Sequence, residues 1–256
     1  MLNVVFGGEK MVQLYANERI DQLYADDIKI IQSKEVFSFS LDAVLLANFP
    51  RIPKKGRIVD LCAGNGAVGL FISRKTNAEI IQIELQERLA DMAQRSIQLN
   101  DLANQMKIYT ADLKDSLAYV ATDSVDLLVC NPPYFPHQPQ SVKNPNPYLA
   151  IARHEIHTNL EEIVAMSSKL LKTNGRLALV HRPDRFLTIL DAMRRQRLVP
   201  KRVQFVYPKK GKDANILLIE AIKDGKEEGF KVNPPLFTYD EGQAYTPEIR
   251  QMLYGN

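Results

Sequence analysis

The amino-acid sequence predicts an α/β fold, built on a doubly wound, mostly parallel sheet with an antiparallel hairpin at its C-terminal end. Strand signals alternate with helix signals along most of the 256 residues, which is typical of parallel sheets covered by helices on both faces. A hydrophobic content of 45% is enough for an ample core. A glycine-rich turn also follows the first strong strand, as it does in nucleotide-binding α/β sheets.

The predicted elements follow one another with short connections. Runs of β-branched and apolar residues predict seven strands, at 57–62, 80–85, 106–111, 125–130, 176–181, 201–207 and 215–222. Helical periodicity predicts helices between them, at 67–74, 86–100, 159–172 and 184–197. The last two strands are joined without a helix, so we expect them to form a hairpin that makes one edge of the sheet antiparallel.

The first strand runs into a turn that has the features of a nucleoside site. Gly64, Gly66 and Gly69 fit the pattern G-x-G-x-x-G, in which the backbone can approach a bound nucleotide closely. The residues of this turn that we expect to contact a cofactor are Cys62, Ala63, Gly64, Asn65 and Gly66. The glycine pattern alone is also compatible with NAD, or with a tight turn that binds nothing.

Carboxylates lie at the ends of the first three strands. Asp60 is near the end of the first strand, Glu84 ends the second and Asp112 follows the third. Because the carboxyl ends of parallel strands meet at one crevice, we expect these acids to face the methionine, ribose and adenine portions of S-adenosylmethionine. A carboxylate at Asp60 favours a cationic group over the pyrophosphate of NAD. Leu85 and Leu113, next to the second and third acids, complete the predicted cofactor site.

The fourth strand, 125–130, ends in the tetrapeptide Asn131-Pro132-Pro133-Tyr134. The Asn131 side-chain oxygen and a nearby backbone carbonyl can accept both protons of an amino group, while Tyr134 stacks on the attached ring. The two prolines lack N–H groups and have a fixed φ, which makes the turn a rigid acceptor platform. We therefore expect all four residues to be catalytic, with Asn131 also beside the cofactor. The alternative is a turn that only ends the strand.

These residues resemble class I S-adenosylmethionine-dependent methyltransferases that carry an Asn-Pro-Pro-Tyr motif. From about residue 18 to 254, the chain is more narrowly similar to the bacterial tRNA1(Val) adenine-37 N6-methyltransferases. The narrower similarity rests on the segments 37–46, 152–155, 181–183 and 207–215. The resemblance implies a seven-stranded Rossmann-like methyltransferase sheet, S-adenosylmethionine as cofactor, and methylation of the N6 amino group of adenine in tRNA.

The resemblance also bears on domain organisation and on the substrate side. We expect a single domain over 1–256, in which 1–50 covers cofactor or substrate and 51–256 is the catalytic core. Phe39, in the first of these segments, is expected to close over the cofactor. The substrate side is expected to include Tyr134, Phe135, Arg153 and His154. The segment 135–148 contains four prolines and no periodicity, which predicts either a lid beside the reaction centre or a passive surface loop.

Charge and composition constrain the partners. The net charge of +3 does not by itself indicate a nucleic acid. Lys209, Lys210 and Lys212 fill the turn of the last hairpin, where they suit phosphate contacts on a folded RNA, although such a cluster is also compatible with an ordinary solvated surface. We expect tRNA as the partner, with a monomer favoured.

Other classes of site and location are not indicated. The histidines and the two cysteines lack the spacing of a zinc site, so no metal is expected. No apolar run is long enough to span a bilayer, and 1–10 does not read as a signal peptide. These observations predict a cytoplasmic protein that does not associate with a membrane.

Two alternatives stay open at this point. The same motif acts on other amino or amide acceptors, in rRNA, DNA or protein glutamine. The glutamine-specific enzymes usually carry a longer helical N-terminal domain than the residues before Phe37 allow. A second alternative is an RNA-binding protein that keeps the cofactor only for its structure, although the intact Asn131 and Tyr134 argue against it.

Overall fold

The structure, a computed structural model, describes residues 2–5, 11–23, 28–36, 39–134 and 158–255. The predictions made for Phe135, Arg153, His154 and the lid segment 135–148 lie outside these ranges. Among the described residues, no helix combines the length and the apolar character that crossing a bilayer requires.

In the described residues before 50, two strand pairs and one helix precede the main sheet. Strand β1 (Leu2–Val5) pairs antiparallel with β2 (Met11–Leu14), and β3 (Glu18–Leu23) pairs antiparallel with β4 (Ile28–Ser33). Helix α1 (Leu41–Asn48) follows. The sequence predicted this segment only as a cover, without its strands or its helix.

The strands predicted from the sequence form one sheet. Its parallel strands are β5 (Arg57–Leu61), β6 (Glu79–Glu84), β7 (Met106–Thr110), β8 (Val125–Cys130) and β9 (Leu171–His181). Strands β10 (Leu198–Tyr207) and β11 (Ile216–Lys223) are antiparallel to each other, and β11 is antiparallel to β9. The order along the sheet is β10, β11, β9, β8, β5, β6, β7. The predicted mostly parallel sheet with a C-terminal antiparallel hairpin is confirmed.

The sheet differs from the prediction in its number of strands. In the described part of the chain it has nine strands, whereas the sequence predicted seven. The additional strands are β12 (Lys231–Val232) and β13 (Leu236–Phe237), which both pair with β10 at the edge. Strands of two residues are too short to produce an alternating pattern, so the periodicity of the sequence did not reveal them.

Helices cover both faces of the sheet. After α1 they are α2 (Ala67–Ser73), α3 (Glu87–Leu99), α4 (Leu160–Leu170), α5 (Phe186–Arg195) and α6 (Pro247–Tyr254), and short 3-10 turns span Leu113–Ala118 and Pro183–Arg185. Helix α4 begins with a capping box between Asn159 and Glu162, which satisfies backbone N–H groups at its N-terminus.

Alternate side chains of β8 point to opposite faces of the sheet. Leu127 and Val129 belong to the apolar cluster that contains Phe71 of α2, and Leu128 belongs to the cluster that contains Met193 of α5. Side chains alternate along a strand, so a strand buried on both faces is apolar at every position. The continuous apolar run near 125–130 reflects this double burial.

The second N-terminal hairpin is fixed to α3 by polar contacts. The backbone N–H of Ile31 donates to Ser96 Oγ at 3.0 Å, and Asn100 Nδ2 donates to the Lys29 carbonyl at 2.6 Å. Arg95 pairs with the buried Glu18 carboxylate at 2.7 Å. Asn65 Nδ2, in the turn after β5, also donates to the Ile31 carbonyl at 3.2 Å, which places this hairpin beside the carboxyl ends of the parallel strands.

Candidate active site

A cavity of about 400 Å³ opens at the carboxyl ends of the parallel strands. The start of α1, the turn after β5 and the residues that follow β6, β7 and β8 form its walls. The sequence-predicted residues that line it are Phe39, Cys62, Ala63, Gly64, Asn65, Glu84, Leu85, Asp112, Leu113, Asn131, Pro132, Pro133 and Tyr134. Two predicted cofactor residues, Asp60 and Gly66, are not part of the lining.

The turn between β5 and α2 adopts left-handed backbone conformations. Gly64 has a φ of 59°, and Gly66, which precedes α2, has a φ of 84°, values that glycine adopts without steric cost. A Cβ added at Gly64 would meet no atom within 4 Å, whereas a Cβ at Gly69 would collide with the side-chain amide of Gln82. Gly64 therefore leaves room for a ligand, and Gly69 is required by packing within the fold.

Glu84 lies beside the glycine turn at the end of β6. One carboxylate oxygen accepts a hydrogen bond from the Gly64 N–H at 2.8 Å, and the other accepts from the Gln86 N–H at 2.8 Å. Burial raises the pKa of Glu84, and these hydrogen bonds act in the opposite direction. Each carboxylate oxygen has a second lone pair, so Glu84 can still accept from the hydroxyl groups of a ribose in the cavity.

Asp112 lies at the end of β7 and is half-buried in the cavity wall. Its Oδ1 accepts a hydrogen bond from the backbone N–H of Lys114 at 3.0 Å, which caps the 3-10 turn Leu113–Ala118. This bond fixes the carboxylate at the start of the turn. The remaining oxygen can accept from an exocyclic amino group such as that of adenine.

Asp60 lies beneath the glycine turn, outside the lining of the cavity. Its side chain is completely buried, and its Oδ2 accepts a hydrogen bond from Gln82 Nε2 at 3.1 Å, because the two residues are paired across β5 and β6. Burial raises the pKa of Asp60 to about 7. The bond with Gln82 supports the strand pair beneath the turn, and the contact between Asp60 and a cationic group of the cofactor stays a prediction.

Asn131 and Tyr134 form a hydrogen-bonded group on the wall next to β8. Tyr134 Oη lies 2.8 Å from Asn131 Oδ1 and 2.8 Å from Asp42 Oδ2 of α1. Burial, together with the adjacent Asp42 carboxylate, raises the pKa of Tyr134 well above its usual value. The phenol therefore keeps its proton, and the hydroxyl acts as a neutral hydrogen-bonding group at physiological pH.

The ring of Tyr134 packs against His181 at the end of β9. The ring centroids are 5.2 Å apart and the ring planes make an angle of 43°. His181 Nδ1 accepts a hydrogen bond from the Arg182 backbone N–H at 2.8 Å. Burial, with the neighbouring Arg185, lowers the pKa of His181 to about 4. The imidazole is therefore neutral at physiological pH and supports one side of the tyrosine without adding a charge.

Among the residues that shape this site, Asp42, Gln82 and His181 were not predicted individually. Asp42 and His181 lie in segments that carry the family resemblance, so those segments were the signal that could have identified them. Gln82 is a polar residue inside an apolar strand, and a buried polar residue of this kind usually has a hydrogen-bond partner. In the described part of the chain, no group of three or more His, Cys, Asp or Glu side chains is arranged to hold a metal ion.

The lysines of the last hairpin lie at the same edge of the sheet as the cavity. Leu217 at the start of β11 is paired with His181 at the end of β9, so the turn between β10 and β11 is at the carboxyl edge. Lys209, Lys210 and Lys212 are exposed in this turn. A groove there is lined by Pro208, Lys209, Lys212, Asp213, Tyr239 and Gln243. These lysines are thus separate from the cavity and face the same side of the molecule.

Comparison with known proteins adds family and fold relationships. The sequence pattern of the family described as "Methyltransferase small domain" matches residues 27–205. A tRNA1(Val) (adenine(37)-N6)-methyltransferase of Parabacteroides distasonis is 30% identical over 181 residues, which are 70% of this chain and 74% of that protein.

Two solved structures share the fold. A predicted O-methyltransferase from Agrobacterium tumefaciens has a TM-score of 0.65 at 24% identity, over 82% of this chain and 94% of that chain. Geranyl diphosphate C-methyltransferase from Streptomyces coelicolor, crystallised with S-adenosyl-L-homocysteine, has a TM-score of 0.52 at 14% identity, over 71% of this chain and 76% of that chain. At these identities the likeness concerns the fold alone.

Proposed function

The chain belongs to the methyltransferase small domain family and, within it, to the tRNA1(Val) (adenine(37)-N6)-methyltransferases, and from this premise we propose its reaction. We infer that it transfers a methyl group from S-adenosylmethionine to the exocyclic N6 amino group of adenine in tRNA, with adenine-37 of a valine tRNA as the target. The observation that supports this most directly is the placement of Asn131 and Tyr134 on one wall of a cavity whose other walls carry Glu84 and Asp112.

The residues of the cavity fit this cofactor. Gly64 leaves open space beside the turn, Glu84 presents a buried carboxylate for ribose hydroxyls, and Asp112 presents an acceptor for the adenine amino group. Phe39 lines the same cavity and supplies an apolar surface over it. S-adenosylmethionine, when bound, supplies an electrophilic methyl group on a positively charged sulfur.

On the acceptor side, the chain's own residues hold the target amino group. The Asn131 side-chain oxygen and the Pro132 carbonyl accept its two protons, and Tyr134 stacks on the attached base, which has left its stack in the RNA. Both acceptors interact more strongly as positive charge develops on the nitrogen. No strong general base is required, because the proton can leave the nitrogen after methyl transfer.

We also propose the larger organisation of the enzyme. Residues 1–50 act with 51–256 as one catalytic unit, because Phe39 and Asp42 of the N-terminal segment line the cavity and Asn65 Nδ2 donates to the Ile31 carbonyl at 3.2 Å. We propose a cytoplasmic location, in keeping with the proposed tRNA substrate.

The proposed reaction is tested with the purified protein and S-adenosylmethionine carrying a labelled methyl group. Unmodified valine tRNA is expected to acquire one N6-methyladenosine, identified by mass spectrometry of the digested nucleosides, and a transcript with guanosine at position 37 is expected to acquire none. Methylation of free adenosine at the rate observed for tRNA would contradict an RNA substrate. Label in a protein glutamine or in DNA alone would redirect the assignment to another acceptor.

The hairpin lysines supply a prediction about binding that is independent of the chemistry. Strands in a sheet are about 4.8 Å apart, so the end of β10 lies on the order of 14 Å from the end of β8, within reach of an RNA whose target base enters the cavity. Replacing Lys209, Lys210 and Lys212 together by alanine is expected to weaken tRNA binding. The slope of log affinity against log salt should become shallower by roughly one unit for each phosphate that the lysines no longer neutralise.

Methyl transfer at saturating tRNA is expected to be largely kept in this triple variant, since the lysines do not line the cavity. Tyr134→Ala is the matched control: it removes base stacking, which contributes about 1–3 kcal/mol, and should leave the salt slope unchanged. An unchanged salt slope in the triple variant would exclude the hairpin turn from the RNA-binding surface.

A further inference from the structure

The hydroxyl of Tyr134 lies between two oxygen atoms at equal distance. Asp42 Oδ2 and Asn131 Oδ1 are each 2.8 Å from Tyr134 Oη. A phenol carries one proton, so Tyr134 can donate to only one of these two oxygens. The second contact is favourable only if the partner side chain brings a proton of its own.

Two arrangements of protons satisfy both contacts. If Asp42 is protonated, it donates to Tyr134, and Tyr134 donates to Asn131 Oδ1. If Asp42 is ionised, it accepts the phenol proton, and the lone pairs of Tyr134 Oη require a donor from Asn131. The amide NH2 of Asn131 is that donor, which requires the amide to rotate and releases its oxygen from the tyrosine.

The two arrangements differ in what Asn131 offers to a substrate. In the first, the Asn131 oxygen already accepts a hydrogen bond from Tyr134. In the second, the oxygen is free for a proton of the target amino group. We propose that Asp42 is a positioning residue for methyl transfer: through Tyr134, its carboxylate selects the orientation of the Asn131 amide that leaves the side-chain oxygen free. This inference rests on the proposed function.

The surroundings of the group are consistent with this role. Asp42 lies in the first turn of α1, so the N-terminal segment reaches the acceptor side of the cavity as well as the cofactor side. Among the residues that the structure describes, the titratable groups that face the Asp42–Tyr134 pair are Cys130 and His181, on β8 and β9. Burial raises the pKa of Cys130 and lowers the pKa of His181, so both are neutral near pH 7.

Asp42 is the carboxyl group of this set, and His181, whose pKa is lowered to about 4, is the other member that changes charge below neutrality. Burial raises the pKa of Asp42 above its usual value, and the hydrogen bond from Tyr134 partly offsets this effect. Because the ionised form is the one that frees Asn131, the rate of methyl transfer should rise as the pH rises through the pKa of Asp42. Asp60 and Glu84 also have raised pKa values. A fall in rate at low pH can therefore be assigned to Asp42 only by comparing the pH–rate profiles of variants.

A double-mutant cycle tests the inference by single-turnover methyl transfer at saturating tRNA and S-adenosylmethionine. Asp42→Ala is expected to lower the rate about tenfold, with the affinity for S-adenosylhomocysteine unchanged. Tyr134→Phe removes the hydroxyl that links the two residues. In that background, Asp42→Ala should change the rate by less than about twofold. An equal loss in both backgrounds would overturn the inference, because Asp42 would then act independently of Tyr134.

A second measurement covers the case in which Asp42→Ala fails to fold. Asp42→Asn keeps the size of the side chain and one acceptor oxygen, and it removes the titration of the carboxylate. The fall in rate at low pH that Asp42 causes in wild type should be absent from the pH–rate profile of the Asp42→Asn variant. A profile unchanged from wild type would overturn the inference. The rate of each variant is compared with the rate of wild type on the acceptor that wild type methylates. If that acceptor is not tRNA, the tRNA assignment is refuted, but the comparison between variants still tests the role of Asp42.

Discussion

Replacing Asn131 by alanine is expected to slow methyl transfer by about a hundredfold or more, while the affinity for S-adenosylmethionine stays nearly unchanged. The side-chain oxygen accepts from the target amino group, and this interaction strengthens as positive charge develops on the nitrogen. A group that acts mainly in the transition state contributes to the rate and little to ground-state binding. Single-turnover rates and calorimetric titration of the cofactor, on the same preparation, measure the two effects.

Two further variants make the Asn131 result specific. Asn131→Asp keeps acceptor oxygens at this position and is expected to retain more activity than the alanine variant. Asn104→Ala changes an exposed asparagine far from the cavity and should behave as wild type. A fall in cofactor affinity in parallel with the rate of Asn131→Ala would assign Asn131 to the cofactor site instead.

Glu84→Ala is expected to abolish most of the thermal stabilisation that S-adenosylmethionine confers. A ligand at about a hundred times its dissociation constant stabilises the folded protein by roughly 2.7 kcal/mol. The Glu84 carboxylate lines the cavity and accepts hydrogen bonds from the N–H groups of Gly64 and Gln86. Its removal eliminates the proposed acceptor for ribose hydroxyls and leaves both N–H groups without their partner. Thermal denaturation with and without ligand measures the change.

The ligand effect must be separated from the loss of intrinsic stability in this variant. An unpaired buried N–H group costs about 1–3 kcal/mol, so each melting temperature is compared with that of the same variant without ligand. Glu241→Ala, an exposed glutamate, is the matched control and should keep the full shift. Stabilisation of wild type by NAD, with none by S-adenosylmethionine, would contradict the cofactor assignment.

Local patterns in the sequence were sufficient for the main sheet and for much of the cavity. A buried parallel strand is apolar at every position, so runs such as 125–130 were recognisable, and the residues that follow them lie at one edge of the sheet. For that reason Glu84, Asp112 and Asn131, each placed by its own strand end, meet in one cavity as predicted. The family prediction, which rested on longer motifs, is also confirmed.

The sequence could not show the surroundings of the Asp60 side chain, because its hydrogen-bond partner lies on another strand. Asp60 and Gln82 are paired only through the register of β5 and β6, and that register buries both side chains beneath the turn. Position along the chain, four residues before the first glycine, carried no information about this pairing. The short strands β12 and β13 escaped prediction for a related reason, since their pairing partner β10 defines them.

The strands and helices between 57 and 222, the glycine turn and the Asn-Pro-Pro-Tyr motif were recognisable in the sequence, because each depends on residues that are near one another in the chain. Which distant side chains complete the site depends on tertiary packing. Asp42 reaches Tyr134 across 92 positions, and His181 packs on the same ring from β9. Such contacts depend on how α1 and β9 are placed against the end of β8, and no local pattern of residues encodes that placement.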